Sequence, residues 1–174
     1  MSADLPTGAD GAGSSATATA EQYLTFALER ELYAIPIIAV REIRGFEPVS
    51  RIPRSPEHVL GVMNLRGTVV PVIDLRARLS IARCERTATT VVIVVRLAAA
   101  AGAEQTVGCV VDGVSDVVHV AASAVRPPPE VCGHIDGHYL RGLVDIDARL
   151  VQLLDVPRLI GTAVGAPPAA RDAA

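Results

Sequence analysis

The sequence predicts a mostly β protein that contains two similar small β units. Apolar runs rich in Val, Ile and Leu recur between turn-forming residues, which is typical of strands, and part of the sequence repeats. The chain has 174 residues, of which 50% are hydrophobic, yet it has no Trp, three Tyr and two Phe. We therefore expect an aliphatic core in one domain or in two small, closely packed ones.

The two ends of the chain differ from its middle in composition. Residues 1–20 are rich in Ala, Gly, Ser and Thr, and residues 163–174 are rich in Ala and Pro. Such segments bury too little apolar surface to offset the entropy that is lost on ordering. We expect two disordered tails around a folded domain at residues 21–162.

Apolar runs predict two pairs of neighbouring strands. Gln22–Leu28 and Glu31–Ile37 form one pair, with a two-residue turn between them. Thr89–Leu97, whose centre reads VVIVV, and Gln105–Val111 form the other pair. Both pairs are expected to form hairpins.

The segment between these pairs is predicted from shorter signals. Ile38–Ile43 is read as a short helix, because Val40 and Ile43 lie three residues apart and share one helical face. Glu47–Ile52 is read as a short strand that ends at a proline. Ser55 is predicted to cap one helical turn after it.

A further hairpin is predicted in the stretch GVMNLRGTVVPVIDLRAR, and the chain is organised around it. The apolar runs Leu60–Leu65 and Val69–Ile73 flank a turn at Arg66. Asn64 and Gly67 are residue types that tolerate a positive φ, so the chain can reverse tightly there. Arg66 is then a long cation held on a rigid β frame. A solvated turn arginine is the simpler alternative.

Two segments of the sequence recur later in the chain, which indicates a duplication. One alignment places Leu32–Ile43 on Thr106–Val117, and the other places Gly61–Leu75 on Gly142–Val156. A short insertion separates the two registers, as expected for a duplication with one loop change. Apolar positions coincide in both alignments. Acids coincide too, with Glu42 on Asp116 and Asp74 on Asp155.

The repeat draws attention to the turn that contains Arg66. The first copy reads NLRG at Asn64–Gly67, whereas the second reads DIDA at Asp145–Ala148. The framework is kept while a cation is replaced by two acids. A turn needed only for folding could change in this way, but the difference makes the first turn the place to look for function.

Several blocks of the sequence together resemble the CheW chemotaxis coupling protein family. The resemblance runs from about Gln22 to Ile160. It implies two intertwined five-stranded SH3-like barrels related by a pseudo-twofold axis, with few short helices. It also implies a non-enzymatic adaptor that couples methyl-accepting chemoreceptors to the histidine kinase CheA. The matching blocks are Val40–Gly45 (VREIRG), Gly61–Arg76 (GVMNLRGTVVPVIDLR), Thr90–Val95, Val110–Val118 (VVDGVSDVV) and Ala124–Pro129 (AVRPPP).

The resemblance also implies which residues bind partners. Arg66 matches an arginine that is important in the family for receptor coupling, and Glu42 matches an acid implicated in the same contact. Ile37 and Val40 are expected to line a nearby apolar groove. Each residue has a simpler interpretation, since Ile37 and Val40 suit a core and Glu42 suits a surface ion pair with Arg41 or Arg44. For Arg66 the alternative is an ion pair with Asp145 or Asp147.

Composition and motifs argue against several other functions. The net charge of −3 without a basic stripe argues against nucleic acid, and the start of the chain does not read as a signal peptide. We expect a cytoplasmic protein that does not insert into the membrane, and the family resemblance implies that it is recruited to receptor arrays at the inner membrane. Three cysteines without C-x-x-C spacing suggest scattered, buried or half-buried thiols rather than a disulfide or zinc site.

No catalytic constellation emerges from the sequence, and no cofactor or metal is predicted. His134, Asp136 and His138 alternate, but flanking glycines make a solvated loop the better interpretation. Asp74, Asp112 and Asp116 suit turns and caps rather than proton transfer. The alternative function is a small-ligand-binding β-barrel module, which an aliphatic double barrel is physically able to form.

Overall fold

The computed structural model describes residues 19–98, 103–129 and 137–161. The predicted tails lie outside these residues apart from Thr19 and Ala20, and so do His134 and Asp136. Within the described ranges, no helix is long and apolar enough to cross a membrane. The strands are β1 Ala20–Leu28, β2 Glu31–Pro36, β3 Val40–Gly45, β4 Val59–Leu65, β5 Thr68–Asp74, β6 Val91–Ala98, β7 Glu104–Val111, β8 Gly113–Ala121, β9 Leu140–Ile146 and β10 Arg149–Leu154. The helices are α1 Leu75–Arg78 and α2 Val156–Gly161, with 3₁₀ turns at Ile37–Ala39, Ala122–Ala124 and Gly137–Tyr139.

The ten strands form two five-stranded sheets. Sheet A has the strand order β8-β1-β2-β10-β9, and sheet B has the order β3-β6-β7-β5-β4. Each sheet is antiparallel except for one parallel pair, which is β2 with β10 in sheet A and β5 with β7 in sheet B. Sheet A therefore combines both ends of the folded chain, whereas sheet B is made from its middle. This interleaving confirms the predicted intertwined architecture.

Each sheet encloses a small aliphatic core of its own and shares a larger one with its neighbour. In sheet B, Met63, Leu65 and Val72 belong to a cluster whose buried members all come from that sheet. Val144 and Leu153 belong to the corresponding cluster of sheet A. Each sheet curls into a barrel, because strands that are not neighbours in the sheet come into contact: Arg141 of β9 pairs with Glu21 of β1 in sheet A, and Arg66 at the end of β4 pairs with Glu42 of β3 in sheet B. The largest cluster contains residues of both sheets and joins the two barrels.

Strand registers confirm the predicted repeat. In sheet B, Val72 lies opposite Gly108. In sheet A, Leu153 lies opposite Ala34. The two sequence alignments place Val72 on Leu153 and Ala34 on Gly108, so the same pairing occurs once in each copy. The two barrels are therefore equivalent under one pseudo-twofold relation.

The predicted helix at Ile38–Ile43 is wrong, because this segment is a 3₁₀ turn followed by β3. A β-bulge interrupts the pairing of β3, since Val40 lies opposite Val95 but Ile43 lies opposite Ile93. Three residues on β3 thus span the distance of two on β6. The bulge gives β3 the three-residue apolar spacing that a helix would show.

The predictions for the following segment are also wrong. Of Glu47–Ile52, only Ser50 pairs, with its N–H and C=O bonded to Val62 at 2.9 and 2.8 Å. Pro48 has no N–H to donate, so a longer ladder is not available here. Ser55 caps no helix and instead donates to the Ile52 carbonyl at 2.9 Å.

Candidate functional site

The β4–β5 hairpin ends in a two-residue turn that presents Arg66. Leu65 lies opposite Thr68, so Arg66 and Gly67 form the whole loop. Their φ angles are 51° and 87°, as in a type I′ turn, whose twist matches that of the flanking strands. Asn64 contributes through its side chain, which accepts the Gly67 N–H at 2.7 Å. Arg66 itself therefore takes the positive φ that the sequence assigned to Asn64.

The bulge in β3 points Glu42 into the mouth of the barrel that sheet B forms. Val40 lies opposite Val95, which belongs to the shared core, whereas Glu42 lies opposite Val94, which belongs to the core of sheet B. Cross-strand neighbours lie on the same face of a sheet. Glu42 and Val40 thus occupy opposite faces, although two residues apart on a regular strand they would share one.

Arg66 and Glu42 form an ion pair across this mouth. The Arg66 Nη2 donates to Glu42 Oε2 at 2.8 Å. The Arg66 side chain is 80% exposed and that of Glu42 only 20%. Glu42 Oε1 is buried and has no hydrogen-bond partner among the described residues. Because β3 and β4 are the two edges of sheet B, the pair connects the edges where the barrel closes.

A small cavity of about 90 Å³ lies beside this pair. Leu65 and Val70 of the barrel core contribute to its walls, and Thr68 and Thr106 add hydroxyl groups. Sequence reasoning missed these threonines and Arg41, which also lines the cavity. The parallel pairing of β5 with β7, which brings Thr106 near Thr68, is not visible in a local pattern.

The alternative pairings considered for the two charges are not the ones found. Arg44 pairs with Glu47 at 3.6 Å rather than with Glu42. Asp145 pairs with Arg126 rather than with Arg66. Arg66 and Glu42, which are distant in sequence, are therefore each other's partners.

Ile37 and Val40 face the junction of the two barrels and not the barrel mouth where Arg66 and Glu42 pair. Both are half-buried and pack against the shared core of the two barrels. The structure thus divides the four predicted residues into an apolar pair at the barrel junction and an ionic pair at a barrel mouth. Ile38, which the sequence did not single out, is 78% exposed beside the apolar pair.

The equivalent mouth in sheet A has the same backbone and different charges. Asp147 and Ala148 have φ angles of 50° and 60°, so this turn repeats the conformation of the first. Asp147 corresponds to Arg66, and the exposed Asp116 corresponds to Glu42. Two acids cannot form the ion pair, so the feature is confined to one half of a pseudo-symmetric molecule.

Other groups named from the sequence have structural roles. Asp74 is the N-cap of α1, where its Oδ1 accepts from the N–H groups of Arg76 and Ala77 at 2.9 and 3.4 Å. Burial raises the pKa of the Cys109 thiol to about 12. Cys84 is exposed, contrary to prediction. In the part of the chain that the structure describes, His, Cys, Asp and Glu form no group of three or more suited to a metal ion.

Known proteins resemble this chain over most of its length. The model of the CheW-like domain matches residues 22–164. The chemotaxis protein CheW of Klebsiella aerogenes is 39% identical over 142 residues, which cover 82% of each chain. The probable chemotaxis protein CheW of Rhizobium etli is 36% identical over 79% of this chain and 86% of its own.

A solved structure agrees with these sequence matches. The crystal structure of the scaffolding protein TtCheW from Thermoanaerobacter tengcongensis superposes with a TM-score of 0.73 at 30% identity. The match covers 82% of this chain and 88% of that chain. The resemblance read from the sequence is thereby confirmed, and the chain belongs to the CheW-like domain family.

Proposed function

We propose that this chain is a non-enzymatic adaptor of chemotaxis that couples chemoreceptors to a CheA-type histidine kinase. The observation that carries the proposal is the match along nearly the whole folded domain to proteins named chemotaxis protein CheW and to a scaffolding protein. The adaptor acts in the cytoplasm, where it binds the kinase and the receptor tips.

The site has the chemistry that such an adaptor needs. Protein interfaces combine apolar burial, which supplies affinity, with charged groups that set register and selectivity. Ile37 and Val40 supply half-buried apolar surface, and Arg66 supplies an exposed guanidinium. Glu42 holds that guanidinium in place. We assign these four residues to partner binding.

The alternative of a small-ligand-binding barrel is not favoured. The interior of each barrel is filled by its own cluster of buried side chains, mainly aliphatic. A ligand inside a barrel would have to displace this packing. The charged mouth of sheet B, by contrast, lies at the surface, where a macromolecular partner can reach it.

Reconstitution of the signalling complex tests the proposal. Kinase activity is measured with receptor-containing membranes and a CheA-type kinase, with and without this chain. We expect receptor control of the kinase to require the chain. Control that is unchanged when the chain is omitted would refute the proposed function.

The assignment of Arg66 is tested separately with a matched control. Arg126 is also an exposed arginine in an ion pair, but it lies in the other half of the molecule. Arg66→Ala is expected to weaken receptor binding while Arg126→Ala leaves it unchanged. Equal effects of the two substitutions would show that the Arg66 turn is not the binding site.

A further inference from the structure

The chain passes between the two sheets at two equivalent places. The 3₁₀ turn at Ile37–Ala39 leads from β2 in sheet A to β3 in sheet B, and Asp112 leads from β7 in sheet B to β8 in sheet A. The first of the two repeat alignments places Ile38 on Asp112. We name these places the Ile38 crossover and the Asp112 crossover.

A network of charged hydrogen bonds holds the Asp112 crossover. The Arg76 Nε donates to Asp112 Oδ1 at 2.8 Å, Nη2 donates to Oδ2, and Nη1 donates to the Ala82 carbonyl at 2.7 Å. The backbone N–H of Glu29 donates to Asp112 Oδ2 at 2.6 Å. Asp112 thus connects the helix that follows β5 of sheet B to the β1–β2 turn of sheet A.

In this network Arg76 is buried, Asp112 is half-buried, and the pair is ionised. The Arg76 side chain is 10% exposed, and Arg76 is the one charged residue in the described ranges that counts as buried. Burial opposes ionisation of Asp112, but the hydrogen bonds from Arg76 and from the Glu29 N–H outweigh it and hold the pKa of Asp112 below its usual value. The pair is therefore charged at neutral pH.

The Ile38 crossover has apolar residues at all three equivalent positions. These residues line a groove of about 700 Å³ between the sheets. The groove occupies the place that corresponds to the ion pair of the Asp112 crossover. Strand β1 of sheet A corresponds to β6 of sheet B. Leu24 of β1 lies opposite Val117, and Ile93 of β6 lies opposite Ile43, which the first repeat alignment places on Val117. This correspondence gives the equivalent positions together with the first repeat alignment and with the second one continued by one residue to Arg76. Arg76, Asp112 and Glu29 correspond to Pro157, Ile38 and Ala98.

The ion pairs found at the rim of this groove do not bridge the sheets. Arg96 pairs with Glu104 at 3.9 Å, and both belong to sheet B. Arg141 pairs with Glu21 at 3.0 Å, and both belong to sheet A. Among the described residues, the two halves also share a hydrogen bond, from the Arg78 Nε of α1 to the Leu159 carbonyl of α2 at 2.8 Å. The Ile38 crossover itself places backbone and apolar side chains between the sheets, and apolar packing has no preferred direction. A bidentate arginine–carboxylate pair, in contrast, fixes both distance and angle.

We infer that the Arg76–Asp112 ion pair sets the relative position of the two barrels. The Asp112 crossover is the fixed pivot, and the groove at the Ile38 crossover is the side that widens or narrows when the barrels move. The ion pair thus acts as a positioning device for a surface on the other side of the pseudo-twofold axis. This inference concerns the geometry of the molecule and does not depend on the proposed function.

Distance measurements across the groove test the inference. Nitroxide labels are placed by Glu104→Cys on sheet B and Arg158→Cys on α2, in full-length protein with Cys84→Ser and Cys132→Ser. The test variant combines Arg76→Met with Asp112→Asn, which removes both charges while the asparagine oxygen still accepts from the Glu29 N–H. Removing both partners of a buried pair avoids leaving one charge uncompensated.

We expect the label distance in the test variant to become longer and more widely distributed, while circular dichroism keeps the parent spectrum. The control combines Arg126→Met with Asp145→Asn, which removes an exposed ion pair and should leave the distance unchanged. Arg76→Lys, which keeps the charge but not the bidentate geometry, should give an intermediate distribution.

Two outcomes would overturn the inference. A folded test variant with the parent distance distribution would show that the ion pair does not position the barrels. Failure of both the test variant and Arg76→Lys to fold would show that the pair is needed for the fold itself rather than for the spacing of the barrels.

Discussion

Replacing Arg66 by alanine separates the stability of the hairpin from its proposed role in binding. The Arg66 side chain is 80% exposed, and its guanidinium makes one ion pair, with Glu42. Arg66 also has a positive φ, but alanine is no less suited to that conformation than arginine, so the backbone of the turn is unaffected by the change. The stability effect should therefore come from the ion pair alone.

The structure sets the size of this effect. An exposed ion pair contributes ~0–1 kcal/mol, but Glu42 is mostly buried and loses the guanidinium it accepts from. We expect a loss of about 1 kcal/mol, or roughly 2–4 °C in melting temperature. This exceeds the value for an unpaired surface arginine, which is within about half a kcal/mol. At a partner interface the same guanidinium is worth ~2 kcal/mol, a loss of about thirtyfold in affinity.

Leu65→Ala is the matched change at the neighbouring residue. Leu65 is buried in the core of sheet B, so its truncation should cost ~2–4 kcal/mol of stability. The folded fraction should bind receptor normally. Thermal melts and receptor titrations on both variants therefore give opposite patterns, with Arg66→Ala reducing affinity and Leu65→Ala reducing stability.

A double-mutant cycle with Glu42→Gln checks the reasoning about stability. If the ion pair is responsible, the stability losses of Arg66→Ala and Glu42→Gln should be non-additive by about 0.5–1 kcal/mol. The reasoning is refuted if Arg66→Ala melts far below the parent while its folded fraction binds receptor with parent affinity. Arg66 would then be a structural residue.

Three further predictions concern the fold. Gly61→Ala should cost ~2 kcal/mol or more, because its new Cβ would overlap the Ser50 carbonyl group; urea denaturation measures this. Cys109, whose pKa is raised by burial, should resist thiol reagents until the protein unfolds, as mass spectrometry can record. The pKa of Asp112 in the folded protein lies below 3.8, so ionised Asp112 stabilises the fold above that pH. This contribution to the free energy of unfolding is lost as the pH falls through the folded pKa. Acid titration of the parent and of Arg76→Met/Asp112→Asn measures it.

Each of these predictions has a control within the same chain. Gly45→Ala adds a Cβ that meets no atom within 4 Å, so it should be nearly neutral. Cys84 is exposed and should react in the native protein. Parent-like acid sensitivity in the charge-free variant would contradict the reasoning on Asp112. After the hydrogen bond to Asp112, the charges of Glu29 and Cys84 also raise the pKa of Arg76. Both residues are therefore kept unchanged in that experiment.

The sequence predicted the strands whose side-chain pattern is regular. All three predicted hairpins, which begin with Gln22–Leu28, Leu60–Leu65 and Thr89–Leu97, were correct in type and nearly in extent. Their apolar runs are bounded by turn residues, and this local signal is sufficient. β3 was misread because the bulge changes its period, and the extra residue has no mark in the sequence.

The candidate site was predicted less completely than the fold. Arg66 and Glu42 were named, but their contact depends on the curling of sheet B, which brings two edge strands together. Arg76 appeared only as the end of a matching block and was not singled out as a site residue. Its partner Asp112 follows β7, and the pairing of β5 with β7 that brings these residues together is non-local.

The interleaving of the strands has a consequence for the order of folding during synthesis. All five strands of sheet B lie between Val40 and Val111, so this barrel can form as soon as that segment has left the ribosome. The β1–β2 hairpin emerges first, but its partners in sheet A extend to Leu154. It must therefore wait, with one edge of β2 unpaired, until the last strand of the domain has been made.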